Sequence, residues 1–308
     1  MRKVLFVFAA VALGLVTFCL PASNAGEKVA NKRLLLVTHS GGFIHTSVAA
    51  AEEILKEVGP KNGFDVTCWR FTEDPDKSVK GRKALEVYSE RYRERTKLPV
   101  EKENCGRINK ETLKNFDVVL FFTTGNPLNK EELADLRDWV RAGGALAGTH
   151  CATDTLYGES VYGDLIGAYF RGHPPGLQKI KVKVEDPKHP AAADFTDGMD
   201  FQDEMYIFRD APYSRDKLHI ILSIDASSFE STLKNPRDPK RDLTRKDRDY
   251  AISWCRTEGK GKVFYTSFGH DEKVWKDERF QKHLFAGLKW ATGELPGDAT
   301  PSGPAKNQ

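Results

Sequence analysis

The sequence predicts an α/β protein on a doubly wound, mostly parallel sheet of flavodoxin-like layout, with extra antiparallel strands in its second half. Three observations lead there. Residues 34–37 (Leu-Leu-Leu-Val) and 118–122 (Val-Val-Leu-Phe-Phe) are continuous apolar runs, the pattern of parallel strands buried on both faces. Each is followed by a turn and a helix-patterned segment, the rhythm of a doubly wound sheet. Later, Ile180, Val182 and Val184 alternate with lysines, as in a half-exposed antiparallel strand. In such sheets, ligands bind beyond the carboxyl ends of the strands, where helix N-termini and loop amides converge.

The elements follow in order. Arg2 and Lys3, the apolar run 4–20 and the small residues Ala22-Ser23-Asn24-Ala25 read as a cleavable signal peptide over 1–25. Phe18 before Cys19 is too large for a lipoprotein signal. A membrane anchor is the alternative, but the short apolar core and the small-residue exit favour cleavage. The expectation is a periplasmic or secreted protein with no membrane span after cleavage. A polar leader, 26–32, precedes a domain at 33–293. After the first strand, Ser47 is placed to cap a helix carrying Ala50, Ile54, Leu55 and Val58, stopped by Gly59 and Pro60. Residues 64–71 are a second strand, and the polar stretch 72–107 reads as a partly helical insertion. Asn129 with Glu132 forms a capping box before a helix whose Leu133, Leu136, Trp139 and Val140 share one face. Residues 145–148 form a strand of mostly small side chains. Further strands fall at 205–208, 218–224, 250–255 and 262–268, and a closing helix at 278–292. Residues 229–249 read as a charged surface loop and 294–308 as a disordered tail.

A net charge of +3, which falls to +1 without Arg2 and Lys3, gives no electrostatic case for nucleic acid or an anionic membrane. Outside the signal segment only Cys68, Cys105, Cys151 and Cys255 remain, too few for a disulfide scaffold. Cys68 and Cys255 lie in strand-like runs and read as small core residues. Gly41-Gly42 and Gly259-Lys260-Gly261 lack the spacing of a phosphate loop, and no nucleotide is expected.

Histidines at strand ends carry the chemical signal. His39 and His45 follow the first strand, His150 follows the strand at 145–148, and His270 follows the strand at 262–268. His173 lies in the loop Gly172-His173-Pro174, and Glu204 precedes a strand. Three imidazoles and a carboxylate suit one divalent metal, zinc first, with an open position for substrate. No His-Glu-x-x-His or Cys-x-x-Cys motif supports this locally, so the case rests on convergence in space. His189, His219 and His283 lack that placement and read as structural. Gly148-Thr149-His150-Cys151-Ala152 has the form of a nucleophile elbow, so a thiol hydrolase using Cys151 is an alternative. Strand register favours His150 at the bend. Asp154 is placed to cap the next helix or to orient His150, and it is also a substrate-binding candidate. Tyr206 and Trp275 are aromatic candidates for a sugar-stacking wall, or else core residues.

Taken together, residues 42–47 (Gly-Phe-Ile-His-Thr-Ser), residues 143–154, Gly172-His173-Pro174, Asp203-Glu204-Met205-Tyr206 and the run 260–270 resemble the ThuA-like (trehalose utilisation) family. The resemblance covers nearly all of 33–293. It implies the fold of class I glutamine amidotransferases, with a histidine, here His150, where those relatives carry a nucleophilic cysteine. Cys151 stands where the ThuA-like pattern commonly has serine, and Ile44 where it commonly has a basic residue. The resemblance further implies a role in carbohydrate metabolism, on a sugar or oxidised glycoside. His45, His150 and His270 are then the catalytic candidates, with His173 and Glu204 as further metal-ligand candidates. A non-catalytic sugar-binding protein is the competing reading.

Overall fold

The computed structural model describes Met1, residues 30–234 and residues 242–304, so the expected signal segment, apart from Met1, lies outside the described residues. Strand β1 (Lys32–Val37) begins inside the expected leader and leads to helix α1 (Val48–Val58), which buries Val48, Ala51 and Leu55. β2 (Phe64–Trp69) follows. The insertion holds a short hairpin, β3 (Ser78–Val79) and β4 (Arg82–Lys83), and helix α2 (Ala84–Thr96). The buried hydroxyl of Tyr88 accepts from the Ser40 amide at 2.8 Å, and that of Tyr92 lies 2.8 Å from Thr38 Oγ1. The insertion therefore braces the exit of β1.

The short helix α3 (Lys110–Leu113) precedes β5 (Val118–Phe121) and α4 (Lys130–Arg141). The capping box forms as its spacing predicts: Asn129 Oδ1 and Glu132 Oε2 each accept the other residue's amide at 2.9 Å. Next come β6 (Ala145–Thr149), α5 (Ser160–Ile166) and β7 (Phe170–Gly172). The second half contributes β8 (Gln178–Val184), β9 (Asp200–Asp203), β10 (Ile207–Phe208), β11 (His219–Ile224), α6 (Ala226–Leu233), β12 (Ala251–Glu258) and β13 (Gly261–Thr266). Helices α7 (Glu272–Lys276) and α8 (Glu278–Ala291) close the domain.

Nine strands form one sheet in the order β2-β1-β5-β6-β13-β12-β11-β8-β9. The first five are parallel and the remaining pairings are antiparallel. Counting the parallel strands along the chain, their order is the flavodoxin one, second-first-third-fourth-fifth. Alternation splits the core. Leu34, Leu36, Val118 and Leu120 pack under α1 and α8, whereas Leu35, Val37, Val119 and Phe121 pack against α4 and α5. Each such fully buried aliphatic side chain contributes about 1.5–3 kcal/mol. Gly259 and Lys260 are the hairpin turn between β12 and β13.

Two expectations are corrected. The region read as a charged loop over 229–249 begins inside α6, which Asp225 caps through the Ser227 amide and which buries Phe229 and Leu233. Arg245, in the same region, is buried and ion-paired with Asp247. Residues 294–304, expected to be disordered, run along the domain. Trp290 Nε1 donates to the Gly297 carbonyl, His219 Nδ1 to the Thr300 carbonyl, and the Ser302 amide to the Leu218 carbonyl. A polar segment with few apolar side chains is held here by its main chain. Among the described residues, no helix is long and apolar enough to cross a membrane.

Candidate functional site

His45, His150, Glu204 and His270 converge at the carboxyl ends of the parallel strands, each offering a ligand atom within 4.8 Å of the others. Residues as much as 225 positions apart along the chain, roughly, meet because β1, β6 and β13 end at one rim of the sheet. His150 Nε2, His270 Nδ1 and Glu204 Oε2 form a triangle with sides of 3.2, 3.2 and 3.5 Å. Groups bound about 2.0–2.1 Å from a common tetrahedral ion sit about 3.4 Å apart, so the triangle matches one face of such a centre.

His150 stands at a sharp bend. It is the first residue after β6 and takes a left-handed backbone, φ +43°. The bend needs Gly148, where a Cβ would lie 2.8 Å from both Ala152 Cβ and Ile166 Cδ1. His150 Nδ1 lies 2.9 Å from the Ser267 carbonyl, which can only accept, so this nitrogen carries a proton. With its proton at Nδ1, the ring turns its Nε2 toward His270 and Glu204. The Tyr265 hydroxyl locks the bend by donating to the His150 carbonyl at 2.6 Å.

His45 is buried, and its Nδ1 has no hydrogen-bond partner. Burial, reinforced by the neighbouring His150 and His270, pushes its pKa well below the ordinary imidazole value, so it is held neutral. Its loop is tied to the His270 loop by Ser47, whose hydroxyl donates to the Gly269 carbonyl at 3.2 Å. Ser47 does stand at the start of α1, but its side chain makes that link instead of capping the helix.

Glu204 balances the imidazoles. Burial raises its carboxyl, but His150 and His270 outweigh burial and hold it well below the usual carboxylate range. For His270, burial lowers the imidazole, yet Glu204 overcomes this and leaves it raised. His173 is outside the four-residue set. Its Nδ1 is 3.1 Å from Glu204 Oε1 and 2.8 Å from the Pro174 carbonyl, so it steadies the carboxylate from the other side. Beyond His173 opens a cavity of about 800 Å³ walled by Phe170, Pro174, Leu233 and Leu243.

Asp203 is the residue that reading the sequence missed. It is fully buried and accepts four amides: Gly269 at 2.7 Å, Glu204 at 2.9 Å, Asp271 at 3.1 Å and His270 at 3.3 Å. One carboxylate thereby sets the loops of Glu204 and His270. The signal available was alternation in β9, which places Asp203 on the inward face with Phe201.

The other candidates fall outside the four-residue set. His39 packs against Phe71 and Tyr88, and its Nδ1 accepts from the Thr72 amide, away from the cluster. Tyr206 is buried, with ring contacts to His150 and Phe170 at 4.2 Å each, so it offers no open stacking face. Trp275 is buried too, stacked on Phe122 and donating to the Gly269 carbonyl. Both are supports of the cluster, not its outer wall. Asp154 closes the turn after His150 through its main chain, its amide bonded to the Cys151 carbonyl. Cys151 is fully buried, and burial raises its thiol well above the ordinary value, which removes the thiolate that a nucleophile needs. The four described cysteines are all free.

The fold and the strand-end cluster define a doubly wound α/β protein with its site on the carboxyl rim of the sheet. The sequence matches the family described as "ThuA: Trehalose utilisation" over residues 33–291, and the chain belongs to that family. Its fold is similar to that of a ThuA-like protein from Bacteroides uniformis, with a TM-score of 0.61 at 17% identity, covering 91% of this chain and 98% of that one. A ThuA-like protein from Parabacteroides merdae is similar as well, with a TM-score of 0.54 at 13% identity, covering 88% and 95%. A search of curated proteins returned no match. The family relates the chain to carbohydrate utilisation.

Proposed function

We propose that this chain is an exported protein of carbohydrate metabolism that processes a sugar or oxidised glycoside at a centre formed by His45, His150, Glu204 and His270, holding one divalent ion, zinc first. The observation that carries the reading is the triangle of His150 Nε2, His270 Nδ1 and Glu204 Oε2, with sides of 3.2–3.5 Å. The donor set fits an ion chemically. It offers three imidazoles, one of them, His45, held neutral by burial with an unpartnered nitrogen, and an ionised carboxylate. When bound, such an ion supplies a Lewis acid for a sugar carbonyl or hydroxyl oxygen.

The protein's own groups have definite parts. Ser267 fixes the His150 tautomer, and Asp203 fixes the loop that bears His270. His173 keeps a proton on Nδ1, between the Pro174 carbonyl and Glu204, and so positions the carboxylate. The cavity beside His173 is of the size that small ligands fill.

Elemental analysis of the purified protein tests the reading. The expected result is one divalent ion per chain, lost in His150→Ala with the fold retained. A metal-free protein that still turns over a saccharide would leave the imidazoles as general bases only. Export is checked by fractionating cells that express the full chain and sequencing the mature N-terminus, expected at Gly26.

A further inference from the structure

Phe43 is 56% exposed, one of three large hydrophobic side chains open to solvent among the described residues besides Met1. A single exposed apolar residue needs no explanation in itself. Phe43 differs in being held in place and in touching the site. Its ring meets His45 edge to face, with centroids 4.8 Å apart. The Arg95 guanidinium lies 5.4 Å from the ring centroid.

The loop beneath it is fixed from both sides. Thr124 Oγ1 accepts from the Gly42 amide at 3.1 Å and donates to the Phe43 carbonyl at 2.8 Å. From α2, Arg91 reaches the Gly42 carbonyl at 3.3 Å and Arg95 the Ile44 carbonyl at 3.4 Å. An aromatic ring on a loop whose backbone is already fixed leaves less to order, so a ligand that covers it gains apolar contact at a reduced ordering cost.

We propose that Phe43 is a specificity-determining platform: the C–H face of a sugar ring stacks on it while the sugar's hydroxyls meet the cluster at His45. The proposal rests on the carbohydrate reading above. The chemistry selects a cyclic sugar over an open-chain polyol. Both carry hydroxyls, but only a pyranose presents a flat C–H face to the negatively charged face of an aromatic ring. Arg95 at the ring favours a neutral or anionic sugar over a cationic one.

The test uses the full chain as purified, with glucose, methyl α-glucoside and trehalose as probes and sorbitol as the open-chain control. Binding is read by saturation-transfer NMR and titration calorimetry. We expect a cyclic sugar to bind the wild type more tightly than sorbitol. Phe43→Ala should weaken that binding by about tenfold or more, with unchanged metal content and circular dichroism. Phe43→Trp should retain binding and report it through indole fluorescence. Wild-type affinity in Phe43→Ala, within about twofold, or equal binding of sorbitol and glucose, overturns the platform and leaves the carbohydrate reading standing. Failure of the wild type to bind any cyclic sugar probe removes the carbohydrate reading and the platform with it.

Discussion

His45 and His283 are both buried, both are pushed below the ordinary imidazole pKa chiefly by burial, and each leaves one ring nitrogen without a hydrogen-bond partner. His283 sits in α8 among Phe195, Phe264 and Phe268, its Nδ1 donating to the Ala191 carbonyl at 2.6 Å. His45 faces two other imidazoles, with ring centroids 4.9 and 5.3 Å away. A buried, neutral imidazole with an idle nitrogen is thus not a mark of a metal site. What separates the two is company. An isolated orphan nitrogen costs stability, whereas one set beside two further imidazoles and a carboxylate joins a candidate donor set.

The contrast breaks most sharply on the ligands. Glu204→Gln or His270→Ala should lower metal affinity beyond the roughly 10–100-fold loss typical of supporting residues, whereas His283→Asn should leave metal content at the wild-type level. Metal titration against a competing chelator reads both. If His283→Asn loses metal while Glu204→Gln keeps it, the division between the two regions is wrong. Asp203→Ala joins stability to the site. It strips four amides of their acceptor, and the unfolding free energy should fall by about 3 kcal/mol, read from denaturation curves, with weaker metal binding because the His270 loop is freed.

Acid titration sharpens the structural side. Burial pushes the His283 imidazole down to about 4 in the folded protein, against 6.5 for an exposed one. Between those values the unfolded chain holds the extra proton, so stability is full above about 6.5 and is lost as pH falls toward 4. The loss is on the order of 2–3 kcal/mol and should be smaller in His283→Asn, measured as the denaturation midpoint against pH. The smallest effect tests the bend. Because His150 is left-handed, His150→Gly should be more stable than His150→Ala by about 1 kcal/mol, although both lose the imidazole.

The fold was legible where local rules suffice. The apolar runs at β1 and β5 and the Asn129–Glu132 cap needed only periodicity and hydrogen-bond chemistry. Reading failed where the chain's partners are distant. Residues 294–304 look disordered by composition, yet main-chain bonds to β11 and its approach hold them. His39 and His45 both follow β1 and both look like site residues, but the strand exit turns His39 under Tyr88 and leaves His45 for the rim.

By itself the sequence determined which residue types stand at strand ends, and strand ends are where a doubly wound sheet gathers its loops. Only the tertiary structure decided which histidines share a carboxylate, that Asp203 sets the loops bearing two of the four clustered residues, and that Tyr206 and Trp275 face inward while Phe43 faces out. The physical reason is range. Strand and cap preferences are settled within a few residues, whereas a donor set within 4.8 Å, drawn from four separate loops, exists only after the sheet has closed in register.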